Sequence, residues 1–294
     1  MTNEFAEIVN RLARAKNFKD GSFCLITSDP DSDKVVVEVK GEHKDIIQEL
    51  QRSYIEAGSR IIYAPTFGGN RINLKKHGLQ DRIEEINRTL VGYSREVAPE
   101  GVYVAGDITT SGEFILPDGD DEDYTYDTAF QMYQEQVRIL CDAGVDLIVA
   151  ETMISIDETL AAVDAVRSVC DLPIMCSVTV DADGSIFSGG NAIEAAISLE
   201  AAGADAVGIN CSVGPDQLVS VVRSIKEKVS IPVIAKPNAG MPTIDGNGTA
   251  VYHMTSEDFA RHMKVLTENG ASIIGGCCGT SPAFIKAMHD IICD

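Results

Sequence analysis

The sequence predicts an α/β protein, a (β/α)8 TIM barrel with an extra N-terminal helix, built as a single domain over residues 1–294. Three observations carry this: short apolar β-type runs recur along the whole chain, amphipathic helical segments separate them, and glycines and capping hydroxyls mark the helix ends. Near-continuous apolar strands alternating with helices read as a parallel sheet covered by helices, because a strand buried on both faces has no polar side to display. Eight such units in roughly 250 residues match the size of a barrel of this kind.

The expected strands are Ser22–Thr27, Arg60–Thr66, Val102–Asp107, Asp146–Glu151, Pro173–Val180, Ala206–Cys211, Pro232–Pro237 and Ser272–Cys277. Between and after them the helical period runs through His43–Ala57, Leu79–Ala98, Asp123–Ala143, Ile156–Val169, Asn191–Ala202, Pro215–Val229, Ser256–Asn269 and Pro282–Ile292. Gly58, Gly144, Gly203 and Gly270 stand where a helix stops on a left-handed residue. Thr255-Ser256-Glu257-Asp258 and Thr280-Ser281-Pro282 read as helix starts, the second with proline in the first turn. Asn3–Ala15 reads as the additional helix, placed to plug the bottom of the barrel. A doubly wound open sheet is the structural competitor, but the glycine-rich phosphate loop that often follows its first strand is missing here. No Pro/Gly/Ser-rich linker divides the chain.

Composition narrows the function classes. The balance of 24 Lys+Arg against 45 Asp+Glu gives a net charge of −21, which disfavours nucleic acid and anionic membranes as partners. No stretch reaches the roughly 18 uninterrupted apolar residues of a membrane span, and the N-terminus lacks the basic start and apolar core of a signal peptide. A cytoplasmic protein is expected. In that compartment cysteines serve as small core residues or metal ligands rather than disulfides. Cys24, Cys141, Cys170, Cys176 and Cys293 are assigned to structure.

The other three cysteines occupy a different kind of position. Cys211 ends the apolar run Ala206-Val207-Gly208-Ile209-Asn210, and Cys277 and Cys278 sit inside Gly275-Gly276-Cys277-Cys278-Gly279-Thr280, at the end of another run. In a parallel barrel the reactive groups gather at the carboxyl ends of the strands. Three thiols there are one ligand short of a closed tetrahedral zinc site, and a zinc ion with one free position binds and deprotonates a substrate, a thiol best of all. Consecutive strand residues point to opposite faces, so Cys277 and Cys278 share a metal only if the strand has ended; the flanking glycines supply the freedom to end it. A vicinal disulfide or two buried core thiols are the alternatives. His43, His77, His253, His262 and His289 fall in helices or at their edges and are read as surface residues.

Thr66-Phe67-Gly68-Gly69-Asn70-Arg71, Gly106-Asp107-Ile108, Glu151-Thr152-Met153, Gly208-Ile209-Asn210-Cys211-Ser212, Lys236-Pro237-Asn238-Ala239-Gly240 and the Gly275-to-Thr280 box together resemble the homocysteine S-methyltransferase family. The resemblance covers nearly the whole chain and is strongest to the homocysteine-binding barrel of bacterial cobalamin-dependent methionine synthases. It implies a zinc-dependent enzyme in which Cys211, Cys277 and Cys278 hold the metal and the thiol of homocysteine joins as a further ligand. The bound thiolate would then attack an electrophilic methyl group to give methionine. It further implies that Glu151 and Asp20 take the substrate ammonium, that backbone amides near Gly21 and Ser22 hold its carboxylate, and that Thr66 and Asn210 form polar walls or support the site.

The sequence departs from the family pattern at the first strand. Asp20-Gly21-Ser22-Phe23-Cys24-Leu25 stands where the family reads Asp-Gly-Ala-Met-Gly-Thr, and Ala64-Pro65-Thr66 where it often reads Thr-Asn-Thr. Both departures concern the grip on the acceptor, so another thiol is the alternative to homocysteine. The chain runs only to Asp294 beyond the cysteine box, so the methyl donor is expected from outside: methylcobalamin carried in trans by a corrinoid protein, or a small donor such as S-methylmethionine or betaine. Two rivals come from other classes: a non-catalytic zinc- or thiol-binding barrel, and an aldolase-type barrel using Lys236 to form a Schiff base.

Overall fold

The computed structural model describes residues 23–26, 36–39, 44–116, 124–246 and 250–292. Seven parallel strands form one sheet in chain order: β3 (Ile61–Tyr63), β4 (Tyr103–Ile108), β5 (Leu147–Met153), β6 (Ile174–Val178), β7 (Ala206–Cys211), β8 (Val233–Pro237) and β11 (Ala271–Ile274). Helices α1 (Lys44–Glu56), α2 (Arg71–Lys75), α3 (Ile83–Arg95), α4 (Tyr126–Asp142), α5 (Ile156–Val169), α6 (Ala192–Ala201), α7 (Val219–Lys226), α8 (Ser256–Glu268) and α9 (Pro282–Ile292) connect and follow them. The four glycines expected to end helices all take positive φ, and the Thr255 hydroxyl caps α8 by accepting from the Asp258 amide. No helix among the described residues is long and apolar enough to cross a membrane.

The expected first stave is where sequence and structure part. Phe23–Ile26 (β1) pairs antiparallel with Val36–Val39 (β2) in a separate hairpin and does not join the parallel sheet. What stands is an open, half-barrel arc of seven strands with β3 and β11 at its edges. A cavity of about 660 Å³ is lined by both edges, by Ile61, Ile62 and Tyr63 on one side and Ser272, Ile273 and Ile274 on the other. The antiparallel pair β9 (Thr243–Ile244) and β10 (Ala250–Val251), inserted after β8, was also not expected. Asn3–Ala15, read as an extra helix, lies outside the described residues, as do Asp20, Gly21 and Ser22.

Side-chain alternation along the strands sorts the interior from the helix layer. Ala105, Leu147, Val149, Met175, Ala206 and Ile234 form one buried cluster, joined by Ile61, Tyr63 and Ile273; their strand neighbours Val104, Ile148, Ile174, Val207 and Val233 pack outward with the helices. Continued two residues at a time toward the strand ends, the interior set reaches Tyr63, Asp107, Glu151, Ser177, Asn210 and Lys236. The polar groups of the site are thus placed by the parity of the hydrophobic pattern.

The loop after β4 is fastened by one buried carboxylate. Glu158 on α5 accepts from the Ser111 amide and hydroxyl (both 2.8 Å), the Thr110 hydroxyl (2.6 Å) and the hydroxyls of Tyr124 (2.8 Å) and Tyr133 (3.1 Å). A buried anion is stable only when its lone pairs are used, and here they are. Glu158→Ala would strand these donors in the interior. It is expected to lower stability by about 3 kcal/mol in denaturant unfolding, against less than about 1 kcal/mol were the bonds made equally well with water.

Candidate metal centre

The last strand stops at Ile274, so the cysteine box is free of the pleat. Gly276 lies so close to Thr280 that a Cβ would come within 2.4 Å of its hydroxyl oxygen, and Gly279 has φ +79°. The Thr280 amide and hydroxyl both donate to the Cys277 carbonyl, at 3.1 and 2.6 Å, closing a tight turn around the two cysteines. At the end of β7, Cys211 and the following Ser212 adopt φ of 62° and 69°, left-handed values uncommon for residues with a side chain. That reversal carries the Cys211 thiol back toward the box.

The outcome is a cluster in which the sulfurs of Cys211, Cys277 and Cys278 all lie within 4.8 Å of one another, with Cys211 and Cys278 3.9 Å apart. Two thiolates on a tetrahedral zinc, each about 2.3 Å from it, are separated by about 3.8 Å. Three sulfurs converging at this spacing, with room for a fourth ligand from the cavity that Cys277 lines, suit zinc held open. Among the described residues no other group of histidine, cysteine or carboxylate side chains gathers in this way.

The thiols are poorly disposed to ionise by themselves. Cys277 is pushed up to about 12, first by its hydrogen bond with Cys211 and then by burial. Cys211 and Cys278 each have one lowering thiol contact, outweighed by the other thiol and by burial, and both rise to about 11. Three thiolates so close together need a cation among them.

Asn238 fastens the two ligand segments to each other. Its side-chain amide donates to the Ser212 carbonyl (2.9 Å) while its oxygen accepts from the Cys278 amide (3.0 Å). The neighbouring backbone adds Cys277 amide to Pro237 carbonyl (2.9 Å) and Ala239 amide to Cys278 carbonyl (2.9 Å). Sequence reasoning had Asn238 only as part of a motif; its position one residue beyond the last residue of β8, between the two cysteine segments, was the available signal.

The remaining predicted site residues divide by what they touch. Asn210 is fully buried, accepts from the Thr152 amide (2.8 Å) and the Ser177 hydroxyl (2.7 Å), and donates to the Thr152 hydroxyl (2.8 Å). Its amide nitrogen lies 3.8 Å from the Cys277 sulfur. Asn210 thus steadies Thr152, itself at φ 55°, beside Glu151. Thr66 is also fully buried and clips β3 to β4, donating to the Asp107 carbonyl (2.8 Å) and accepting from its amide (3.0 Å). Both act in support of the site.

Glu151 lines the cavity together with Cys277, but its cationic partner comes from within the chain. It is ion-paired with Lys236, which also donates to the Tyr63 hydroxyl at 2.9 Å. Burial works against the lysine's charge, yet Glu151 and Tyr63 hold it above the ordinary lysine range. A Schiff-base lysine must be available as the neutral amine, whereas the Glu151 charge and the Tyr63 hydroxyl favour the protonated form here. Nearby Asp107 is raised well above the carboxylate range by burial and then by the Glu151 charge, and its Oδ1 has no hydrogen-bond partner.

Outside the centre, Cys141 on α4 and Cys170 just past the end of α5 meet at 3.2 Å between sulfurs, and Cys176 is buried in β6. Cys24 and Cys293 lie beyond the described side chains.

The sequence pattern of the homocysteine S-methyltransferase family matches residues 10–292, and the chain belongs to that family. It is 30% identical over 256 residues to methionine synthase of Mycobacterium tuberculosis and 29% identical over 256 residues to that of Mycobacterium leprae, covering 83% of this chain in each case. It spans only 21% of the length of those relatives. Among solved structures it superposes on the homocysteine methyltransferase MmuM from Escherichia coli, with TM-score 0.70 for the oxidised form and 0.68 for the metallated form. Both are 19% identical and cover 85% of each chain.

Two outcomes are expected. Asn238→Ala should leave the fold intact but weaken zinc binding by about tenfold to a hundredfold in chelator competition, because the ligand segments lose their shared clamp. Because the thiols keep their protons until a metal displaces them, affinity should rise with pH through neutrality. The expected slope is about tenfold per pH unit for each proton released, read by chelator competition and by proton release in weak buffer.

Proposed function

We propose that this chain transfers a methyl group to the thiol of homocysteine, giving methionine, at a zinc ion held by Cys211, Cys277 and Cys278. The observation that carries the reading is the convergence of those three sulfurs beside an open cavity. Bound there, zinc would supply a Lewis acid that keeps the acceptor thiol deprotonated near neutral pH, where a free thiol of pKa about 8.5 is mostly protonated. The chain's own part is positional. Asn238 and the left-handed residues at the end of β7 fix the donor set, Asn210 and Thr152 set the wall beside it, and Glu151 offers a carboxylate for the acceptor's ammonium.

Closure of the barrel belongs to the same reading. The gap between β3 and β11 is bounded by two unpaired strand edges and by apolar side chains, the environment a buried parallel strand requires. Insertion of Ser22–Thr27 there would complete a (β/α)8 ring over residues 1–294. The methyl group would come from methylcobalamin on a separate corrinoid protein, a choice supported by the likeness to methionine synthases. A small donor such as S-methylmethionine or betaine is the competing source. A cytoplasmic location fits this chemistry.

Methionine formation measured with each donor in turn tests the assignment. About one zinc per chain is expected, with metal and turnover both lost in Cys277→Ala; a Cys277→Ala protein that kept both would sink the ligand assignment. Glu151→Gln should raise the KM for homocysteine about tenfold or more while zinc content stays unchanged, and an unaltered KM would remove Glu151 from acceptor binding.

A further inference from the structure

The buried pair Lys236–Glu151 is larger than acceptor binding through Glu151 alone requires. Lys236 follows the interior parity of β8, beside Asn210 on β7 in the register of the sheet. Its stem runs along the segment leading to the cysteine box: a Cβ on Gly275 would sit 3.2 Å from the lysine Cγ. Its head lines the same cavity as Cys277 and Glu151. An ammonium has three N–H donors. Two acceptors hold Lys236 among the described residues, the Glu151 carboxylate and the Tyr63 hydroxyl. Among the described residues the third donor of this nearly buried cation has no acceptor, although the lysine lines the cavity, and a buried donor left unpaired is costly.

We propose that Lys236 is a specificity-determining residue that binds the carboxylate of the acceptor, so that the chain selects thiols carrying an acidic group. The proposal rests on the thiol-acceptor reading above and adds to it the recognition of the acceptor's other end. Glu151 and Tyr63 keep the ammonium in place, and the third N–H receives one carboxylate oxygen. The Lys236–Glu151 pair then offers both signs side by side, matching the zwitterion of an α-amino acid, with the acidic end read by lysine. Simple neutralisation of Glu151 is the rival role for Lys236, and it predicts no preference for acidic acceptors.

The test is calorimetric binding of four thiols to the zinc-loaded protein: homocysteine, 4-mercaptobutanoate (carboxylate, no ammonium), 3-aminopropanethiol (ammonium, no carboxylate) and propanethiol (neither). The wild-type protein is expected to bind 4-mercaptobutanoate about tenfold to a hundredfold more tightly than propanethiol, the range for a hydrogen bond to a charged group. In Lys236→Met that ratio should collapse toward one, and Lys236→Arg, which keeps the charge, should retain most of it. Zinc content and circular dichroism report folding of each variant, and the wild-type ratio stands alone if Lys236→Met fails to fold. Propanethiol binding without preference for the acidic thiol, or a ratio that survives in Lys236→Met, overturns the role of Lys236 and leaves the thiol-acceptor reading intact. Failure of every thiol to bind the zinc-loaded protein overturns that reading, and the Lys236 assignment with it.

Discussion

The two-residue period of a buried parallel strand is the constraint on which the rest of this protein depends. Each of the central strands must place apolar side chains alternately inward and outward, because both faces are covered. Once Ala105, Leu147, Val149, Met175, Ala206 and Ile234 are committed to the interior, the residues two places further on point the same way. Polar side chains at those positions have no solvent to escape to and must satisfy one another. Lys236 finds Glu151 and Tyr63, and Asn210 finds Thr152 and Ser177. The chemistry of the site is the polar continuation of the hydrophobic core.

The cysteines are exempt from that period, and the backbone shows how. Cys211 and Ser212 take left-handed conformations that cost a non-glycine residue about 1 kcal/mol or more each. Specific bonds offset this: the Ser212 hydroxyl accepts from the Val180 amide at 2.7 Å and meets the Thr179 hydroxyl at 2.8 Å, while its carbonyl is held by Asn238. The Cys277–Thr280 turn is closed by its own threonine. Strain of this sort persists only when its surroundings over-determine it, and it collects where a side chain must be aimed against the run of the secondary structure.

Much of this could be read from the chain. The alternation of apolar runs with helices located seven staves and their helices, since each strand's burial is written locally. The three cysteines were legible because thiols flanked by glycine at strand ends have few structural uses. The partner of the first strand was not legible because its apolar run, Phe23 to Ile26, satisfies an antiparallel hairpin as well as a barrel stave, and local pattern does not choose between partners. The pairing of Glu151 with Lys236 was not legible at all. The two residues lie 85 positions apart on strands that are not neighbours in the sheet, and only the curvature of the arc brings their heads together across the interior. A buried glutamate demanded a cation; sequence had no means of saying that the chain supplied its own.

That self-supplied cation changes the electrostatics of the whole interior. Asp107, Glu151 and Cys277 would otherwise accumulate negative charge together, and the structure divides the burden by burial. Asp107 is driven toward its neutral form by desolvation and by the Glu151 charge, whereas Lys236 is held ionised by the same carboxylate. Ion pair and neutral acid together limit the charge beside the cavity, and among the described residues one Lys236 N–H has no acceptor there. A bound molecule can use that donor without paying to strip water from an isolated charge, since the protein has already done so on folding. The wall beside the cysteines is therefore pre-organised for a small polar head group, and the sulfur cluster for the thiol at its other end.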